Sequence, residues 1–384
     1  MTPIIYLDNN ATTRLDERVL ESMMPYLTDI YSNSFSSHPF GNIARKAVDL
    51  ARKQICELIG SSNKQIVYTS GATEAINLAI KGLAFDSPGE KKHIISVQTE
   101  HKAVLDTCKY LESIGYEITF LPVEKDGLLN INNLISAIRK DTLLVSIMWV
   151  NNETGVIQDI EVLAKVSKDA GAYFMTDATQ VVGKLEVNVE KAGIDLLVFS
   201  GHKFYAPKGI GVLYFSKRMQ SLITPLTHGG GHEFGLRSGT LNVPSIVGLG
   251  KAAEIAQIEM NQNAKQIKLL RDKLELELLN CKGSFINGHA EKRLYNVTNI
   301  CFPNLETDVF IGRMKQIAVS NGSACTSSVI EPSHVLKAMG LNNDEANSSI
   351  RFSLGKFNTL DEIKQASFEI NSYIAKWNKI PTNS

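Results

Sequence analysis

Seven short apolar runs, separated by stretches with helical periodicity, constrain the fold of this chain more than any other feature. The runs are rich in Ile, Val and Leu and cover residues 66–69, 94–97, 118–121, 143–149, 173–176, 196–199 and 212–215. Runs of this length, joined by crossover helices, indicate strands buried on both faces of a mostly parallel sheet. The sequence therefore predicts an α/β fold whose large domain has a mostly parallel seven-stranded sheet covered by helices.

The remainder of the chain predicts a second, smaller unit. A helical pattern over residues 245–280 leads away from the sheet, and weaker patterns predict strands at 297–302 and 317–319 and helices near 332–339 and 360–377. With 384 residues, the chain exceeds one typical core, so two domains are expected. We predict a large domain over 15–260 and a smaller α+β domain formed by 1–14 and 261–384.

Composition and charge argue against several classes of partner. Forty basic and forty acidic residues cancel, and no stripe of Lys or Arg suggests nucleic acid or an anionic membrane. The longest apolar run, 143–150, is far shorter than the roughly 20 residues of a membrane span. The start of the chain lacks the features of a secretion signal, and five cysteines without a CxxC pair suit free thiols. We expect a cytoplasmic protein without a nucleic-acid or membrane partner.

The residues that follow each run are candidates for a site, because ligands of such sheets bind beyond the carboxyl ends of the strands. After the first run, Ser70-Gly71-Ala72-Thr73 leads into a helical pattern. Backbone N–H groups and hydroxyls at a helix start can bind phosphate, although a capping turn made by Ser70 or Thr73 explains the same residues. The sequence has neither a Walker pattern nor a GxGxxG after a strand, which disfavours ATP and dinucleotides.

Four further polar side chains follow other runs, namely His101, Asn152, Asp177 and Lys203. Singly, each has an ordinary interpretation, such as a polar loop histidine or a solvated lysine. An acid at the end of a central strand requires a cationic partner, however, and a lysine with a lowered pKa can form a Schiff base. With the phosphate-binding turn considered for residues 70–73, these four side chains complete the set that pyridoxal 5′-phosphate requires. That set is a phosphate site, a group that stacks on the ring, an acid for the pyridine nitrogen and a lysine.

The order and length of these motifs resemble the cysteine desulfurases among the class V aminotransferase-like, fold type I pyridoxal phosphate enzymes. The resemblance covers nearly the whole chain and rests on residues 6–13 (YLDNNATT), 69–74 (TSGATE), 99–104 (TEHKAV), 150–153 (VNNE), 177–180 (DATQ), 200–203 (SGHK) and 237–240 (RSGT). It implies pyridoxal 5′-phosphate as the cofactor and L-cysteine as the substrate. The products it implies are L-alanine and an enzyme-bound persulfide.

The resemblance also implies which residues hold the phosphate of the cofactor. Ala72, Thr73, Ser200 and His202 match the positions that do so within one subunit. Thr240 matches a residue that reaches the phosphate of the neighbouring subunit, which implies a homodimer.

The same resemblance implies the contacts of the cofactor ring. Asp177 would pair with the pyridine nitrogen, and Lys203 would carry the Schiff base. Gln180 and Asn152 would contact the phenolic oxygen side, and His101 would move protons during catalysis.

Cys325 lies in residues 320–328, a run of Ser, Asn, Gly, Ala and Thr that cannot form a core. Cys56, Cys108 and Cys301 have apolar neighbours and are expected to be core residues, whereas Cys281 stays undecided. The desulfurases carry their nucleophilic cysteine in a similar loop, with Asn321 here replacing a small residue. The long form of this loop resembles the group that passes sulfur to an acceptor protein such as an iron–sulfur scaffold. No metal site is predicted, apart from Cys325 as a transient iron–sulfur ligand.

Arg351 is expected to bind the α-carboxylate of the substrate, together with Asn152, because a guanidinium suits a carboxylate. A structural ion pair is the alternative for this arginine.

Two other functions of the protein stay open at this point. Another pyridoxal enzyme, such as a transaminase or selenocysteine lyase, would not require Cys325, and a binding protein on an old enzyme fold would not require Lys203. The sequence does not distinguish cluster assembly, tRNA thiolation and a nitrogenase-type pathway as the destination of the sulfur.

Overall fold

A computed structural model describes residues 4–61, 65–86, 91–322 and 331–377. Within these ranges the strands are β1 (Ile5–Tyr6), β2 (Ile66–Thr69), β3 (His93–Val97), β4 (Glu117–Leu121), β5 (Thr142–Ser146), β6 (Tyr173–Asp177), β7 (Leu196–Ser200), β8 (Gly211–Phe215), β9 (Phe285–Ile286), β10 (Val297–Cys301), β11 (Ile317–Ala318) and β12 (Ser349–Ser353).

The helices alternate with these strands in the first half of the chain and dominate the second half. They are α1 (Glu17–Thr28), α2 (Pro39–Ile59), α3 (Ala72–Phe85), α4 (Lys102–Ser113), α5 (Ile131–Ala137), α6 (Ile160–Asp169), α7 (Val243–Leu278), α8 (Thr307–Arg313), α9 (His334–Ala338), α10 (Asn343–Asn347) and α11 (Leu360–Trp377). Among the described residues, no helix combines the length and the apolar character that a membrane crossing needs.

Seven strands form one sheet in the order β2-β8-β7-β6-β5-β3-β4. In this sheet β8 runs in the direction opposite to the other six strands, which are all parallel to one another. The mostly parallel seven-stranded sheet predicted from the apolar runs is therefore confirmed. The prediction for β5 was too long, because regular strand structure ends at Ser146. The backbone nevertheless stays beside β6, since the N–H groups of Ile147 and Trp149 donate to carbonyls of Met175 and Asp177.

Helices cover both faces of the sheet, which explains why its strands are apolar on both sides. On one face, α2, α6 and the first half of α7 pack against the sheet through residues such as Val48, Leu163 and Leu249. On the other face, α3 and α4 pack through residues such as Leu78 and Leu111. With both faces closed, the edge where the parallel strands end is left for ligands.

A second apolar cluster joins the N-terminal segment to the C-terminal part of the chain. Leu7, Leu274, Phe310, Phe352 and Ile370 are buried together in this cluster. Here β10 pairs antiparallel with β9 and β12, and β1 pairs in parallel with β11. The domain boundaries after residues 14 and 260 stay a prediction, because α7 passes residue 260 without a break.

Candidate active site

A cavity of about 720 Å³ lies at the carboxyl edge of the large sheet. The loops after β2, β3, β5, β6 and β7 contribute to its wall, as do the N-terminal segment and the start of the Cys325 segment. The sequence-predicted residues that line it are Ala72, Thr73, His101, Asn152, Asp177, Gln180, Ser200, His202, Lys203 and Arg351. Thr240 is exposed and outside this lining, and Cys325 lies outside the described residues.

One end of the cavity is suited to an anion because α3 starts there without a side-chain cap. Its N-cap is Gly71, which has no side chain to satisfy the first backbone N–H groups of the helix. Glu74 is engaged elsewhere, since it accepts from the backbone N–H of Ser70 (2.7 Å) and from Nε of Arg237 (2.8 Å). The capping turn considered for Ser70 or Thr73 is therefore not found. Free donors at the positive end of a helix favour a phosphate group.

His202 adds a neutral ring to the lining of the cavity. Burial and the nearby charge of Lys203 lower the pKa of His202 to about 4. Its Nδ1 lies 3.0 Å from the hydroxyl oxygen of Thr12. When that hydroxyl donates to Nδ1, the remaining proton is on Nε2, so the ring can donate one hydrogen bond to an anion.

Two buried carboxyl groups, Asp177 and Glu100, lie close enough to influence each other, and Asp177 lines the cavity. Asp177 accepts from the backbone N–H of Thr179 (2.8 Å). Glu100 accepts from the N–H of Met148 (2.5 Å), but its second oxygen has no partner. Burial, together with the charge of Asp177, raises the pKa of Glu100 well above its usual range. The raised pKa favours the protonated form of Glu100 relative to an exposed glutamate, and Asp177 provides the acidic side chain that can face a pyridinium nitrogen.

Lys203 is not a solvated surface lysine. Its Nζ donates to the backbone carbonyls of Asn10 (2.8 Å) and Ala11 (2.6 Å). Burial, followed by the positive charge of Arg351, lowers the pKa of Lys203 to about 8. A lowered pKa provides the neutral amine that a Schiff base needs.

His101 has a defined tautomer at the start of α4. Its Nδ1 accepts a hydrogen bond from the backbone N–H of Ala103 (3.1 Å). Burial is the main cause that lowers the pKa of His101, and Lys203 lowers it further while Asp177 opposes the shift. The neutral ring therefore carries its hydrogen on Nε2, and this is the atom that can exchange a proton with a ligand.

Arg351 combines the two functions that the sequence left open. Its Nη2 forms an ion pair with Oδ1 of Asp8 (2.6 Å), and its Nη1 donates to the backbone carbonyl of Asn152 (3.1 Å). Its Nε is buried without a partner. A buried donor of this kind is costly unless a ligand satisfies it, so the arginine is both an ion-pair residue and a candidate carboxylate ligand.

Sequence reasoning missed the part that the N-terminal segment plays in the site. Asn10, Ala11 and Thr12 line the cavity and contact Lys203 and His202. The motif at residues 6–13 carried part of the resemblance, and its length was the signal available in the sequence. Their proximity to Lys203 depends on contacts between distant parts of the chain.

The described cysteines follow the sequence expectations. Cys56, Cys108 and Cys301 are buried, Cys281 is half-buried, and these four described cysteines form no disulfide. Burial raises the pKa of Cys108 to about 12 and that of Cys301 to about 11. Thiols in these environments are poor nucleophiles.

The aminotransferase class-V family model matches residues 5–366. The cysteine desulfurase IscS of Edwardsiella ictaluri is 50% identical over 365 residues, which cover 94% of this chain and 90% of that protein. The chain belongs to the cysteine desulfurases. Two solved structures agree with this assignment. A NifS-like protein matches this desulfurase with a TM-score of 0.91 and 38% identity over 97% of this chain and 100% of its own. The structure described as SspA in complex with cysteine matches with a TM-score of 0.82 and 38% identity over 92% and 99% of the two chains.

The cofactor of this cysteine desulfurase is pyridoxal 5′-phosphate, and the cavity fits it. The uncapped start of α3 suits the phosphate. Asp177 suits the pyridine nitrogen, and Lys203 has the lowered pKa that a covalent attachment site needs.

Proposed function

We propose that this desulfurase removes sulfur from L-cysteine, releases L-alanine and retains the sulfur as a persulfide on Cys325. One observation carries the proposal: Lys203, Asp177 and Arg351 line a single cavity to which Gly322 also contributes. Gly322 lies three residues before Cys325 in the sequence. The solved relative described as SspA in complex with cysteine supports cysteine as the substrate.

The side chains of the cavity have separate tasks in this proposal. Pyridoxal phosphate, when bound, withdraws electrons from the amino acid and weakens bonds at its α- and β-carbons. Arg351 binds the α-carboxylate of the substrate through its free Nε, and Asn152 lies beside it. Lys203 accepts and returns protons at Nζ, because its pKa of about 8 lies close to neutral pH. His101, which also lines the cavity, exchanges protons at Nε2.

The sulfur transfer balances without an external oxidant. The thiolate of Cys325 attacks the substrate sulfur, so that a sulfur–sulfur bond forms and the carbon–sulfur bond breaks. The electron pair of the broken bond stays with the carbon skeleton, which takes up a proton and leaves as L-alanine. L-cysteine and one enzyme thiol thus give L-alanine and one enzyme persulfide.

A comparison of two cysteine variants tests this proposal. We expect Cys325→Ser to retain the absorbance of bound pyridoxal phosphate and to lose the formation of alanine from L-cysteine. Cys281→Ser is the matched control and keeps both properties. Alanine formation at the wild-type rate by Cys325→Ser would favour another type of pyridoxal enzyme. Normal binding of the cofactor by Lys203→Ala would contradict the role of Lys203.

We also propose a homodimer in which Thr240 contacts the phosphate bound by the other subunit. Thr240 is exposed and lies outside the cavity of its own chain. Mixed dimers of Lys203→Ala and Thr240→Ala chains test this arrangement. If Thr240 acts on the other subunit, one of the two sites in each mixed dimer is complete and activity returns. If it acts within its own chain, no site is complete and activity stays low.

A sulfur-acceptor protein, such as an iron–sulfur scaffold, and a cytoplasmic location complete the proposal. In this step Cys325 is also the candidate for transient ligation of an iron–sulfur cluster. Loading Cys325 with radioactive sulfur and following the label into co-expressed proteins identifies the acceptor. Retention of all label on Cys325 in the presence of a candidate excludes that candidate.

A further inference from the structure

Lys184 is a buried cation that the mechanism above does not use. It lies in the turn after β6 and is only 6% exposed. Among the described residues no carboxylate forms an ion pair with it, and the charged side chains that act on it, Lys203 and Arg351, are both positive. Burial and these two charges lower the pKa of Lys184 to about 7. A buried cation without a counter-charge is unfavourable. The presence of a lysine at this buried position therefore indicates a function.

The ammonium group of Lys184 makes one defined contact, to the side chain of Gln180. Nζ of Lys184 donates to Oε1 of Gln180 (2.7 Å). On the other side of the amide, Nε2 of Gln180 donates to the carbonyl of Asn10 (2.9 Å). The same carbonyl accepts from Nζ of Lys203 (2.8 Å). A hydrogen-bonded path therefore connects Lys184 to Lys203 through the amide of Gln180.

This contact and the carbonyl of Asn10 together set the orientation of the Gln180 amide. An ammonium group has only donors, and a carbonyl only accepts. The amide therefore turns its oxygen toward Lys184, which leaves its NH₂ group for Asn10 and for the cavity that Gln180 lines. A flipped amide would place its NH₂ group against the ammonium of Lys184 and its oxygen against the carbonyl of Asn10.

The local backbone brings the two side chains together. The turn is helical, since the N–H of Val182 donates to the carbonyl of Ala178 and that of Leu185 to the carbonyl of Val181. Residues four apart in such a turn lie side by side. Beside Lys184 is a space of about 20 Å³, with Tyr205, Tyr295 and Asn296 among its walls. This volume suits about one water molecule, and the amide of Gln180 is the one hydrogen-bond partner of the amine among the described residues.

We propose that Lys184 is a positioning residue that turns the NH₂ group of Gln180 toward the cofactor. The site thereby presents a donor, and a positive charge behind it, to the phenolic oxygen of pyridoxal phosphate. The inference rests on the role proposed above for Gln180. Both effects stabilise the anionic form of that oxygen and so lower the pH at which the bound cofactor loses its proton.

The test is a pH titration of the visible absorbance of the holoenzyme. Lys184→Met, which keeps the length and removes donor and charge, should raise the midpoint of the titration by about one pH unit. Its melting temperature should be equal to or above that of the wild type, because a buried charge is removed. Lys191→Met, an exposed lysine of the same segment, is the control and should leave the midpoint unchanged. An unchanged midpoint in Lys184→Met would overturn the inference.

A double-mutant cycle separates positioning from a purely structural effect. In a Gln180→Leu background, Lys184→Met should cause little further shift, whereas full additivity of the two shifts would overturn the inference. Lys184→Gln keeps a donor without the charge and should recover part of the wild-type midpoint. If Lys184→Met does not fold, Lys184→Gln replaces it in the test. A titration midpoint of Lys184→Gln as high as that of Gln180→Leu would contradict the positioning role. The titration midpoints do not depend on Cys325. If the proposed sulfur chemistry is wrong, the wild type forms no alanine from L-cysteine, and this result is separate from the titration.

Discussion

Nη2 of Arg351 lies 2.6 Å from Oδ1 of Asp8, and both side chains are largely buried. The ion pair joins β12 to the N-terminal segment and orients the guanidinium toward the cavity. Because Asp8 takes one edge of the guanidinium while Nε stays without an acceptor, the arginine is held in place and can still bind a ligand. Asp8 therefore competes with a substrate carboxylate for the same positive charge.

We expect Asp8→Asn to weaken the protein without ligand and to strengthen carboxylate binding. Loss of the ion pair should lower the free energy of unfolding by about 1–3 kcal/mol, since the Asp8 side chain is still 20% exposed to water. A carboxylate ligand such as L-alanine should then raise the melting temperature of Asp8→Asn more than that of the wild type. Glu17→Gln, which removes an exposed ion pair with Arg14, is the control. An equal effect of L-alanine on all three proteins would contradict competition by Asp8.

The pKa of Lys203 predicts how fast the apoprotein takes up pyridoxal phosphate at different pH. Only the neutral amine attacks the aldehyde, so the uptake rate should rise through about pH 8 and then level off. Arg351→Leu removes a positive charge that lowers this pKa, so the rise should move to higher pH. Arg139→Leu removes an exposed arginine and should leave the profile in place. Stopped-flow absorbance measures both profiles, and identical midpoints would contradict the influence of Arg351.

The raised pKa of Glu100 predicts that this residue lowers the free energy of unfolding by an amount that depends on pH. Its pKa in the folded protein is raised above the ordinary value of 4.5, so the folded state holds a proton that the unfolded state has lost. Stability of the wild type therefore falls as pH rises above about 4.5, until Glu100 ionises in the folded state too. We expect Glu100→Gln to gain stability relative to the wild type over this range. Urea unfolding between pH 4 and 8 measures the difference, and Glu161→Gln, an exposed control, should show none.

Alanine substitutions at Gly183 and Gly193 distinguish the cost of backbone strain from the cost of steric conflict. Both glycines have positive φ, at +77° and +67°. A Cβ on Gly183 would lie 2.7 Å from Cβ of Phe204, whereas a Cβ on Gly193 would meet nothing within 4 Å. We expect Gly193→Ala to cost about 1 kcal/mol from strain alone. Gly183→Ala should cost on the order of 1–3 kcal/mol more. Equal losses in urea unfolding would show that Phe204 moves freely.

The difference between confirmed and missed strands has a physical cause. The strands of the large sheet are apolar on both faces, so they appear in the sequence as short runs of Ile, Val and Leu. All five residues of β12 are buried as well, but three of them are Ser349, Arg351 and Ser353. Burial of these polar side chains depends on partners such as Asp8 and Asn287, which are distant in the sequence. The local pattern therefore gave no sign of this strand.

The sequence by itself determined the parallel sheet and most of the site, because parallel strands bring their carboxyl ends to one edge and so convert order along the chain into proximity. Ala72, His101, Asp177 and Lys203 were found in this way. Only the tertiary structure decided which pKa values are shifted and which groups are in contact, such as the raised pKa of Glu100 and the pairing of Arg351 with Asp8. A pKa depends on burial and on charges a few ångströms away, and those neighbours come from segments that no local pattern connects.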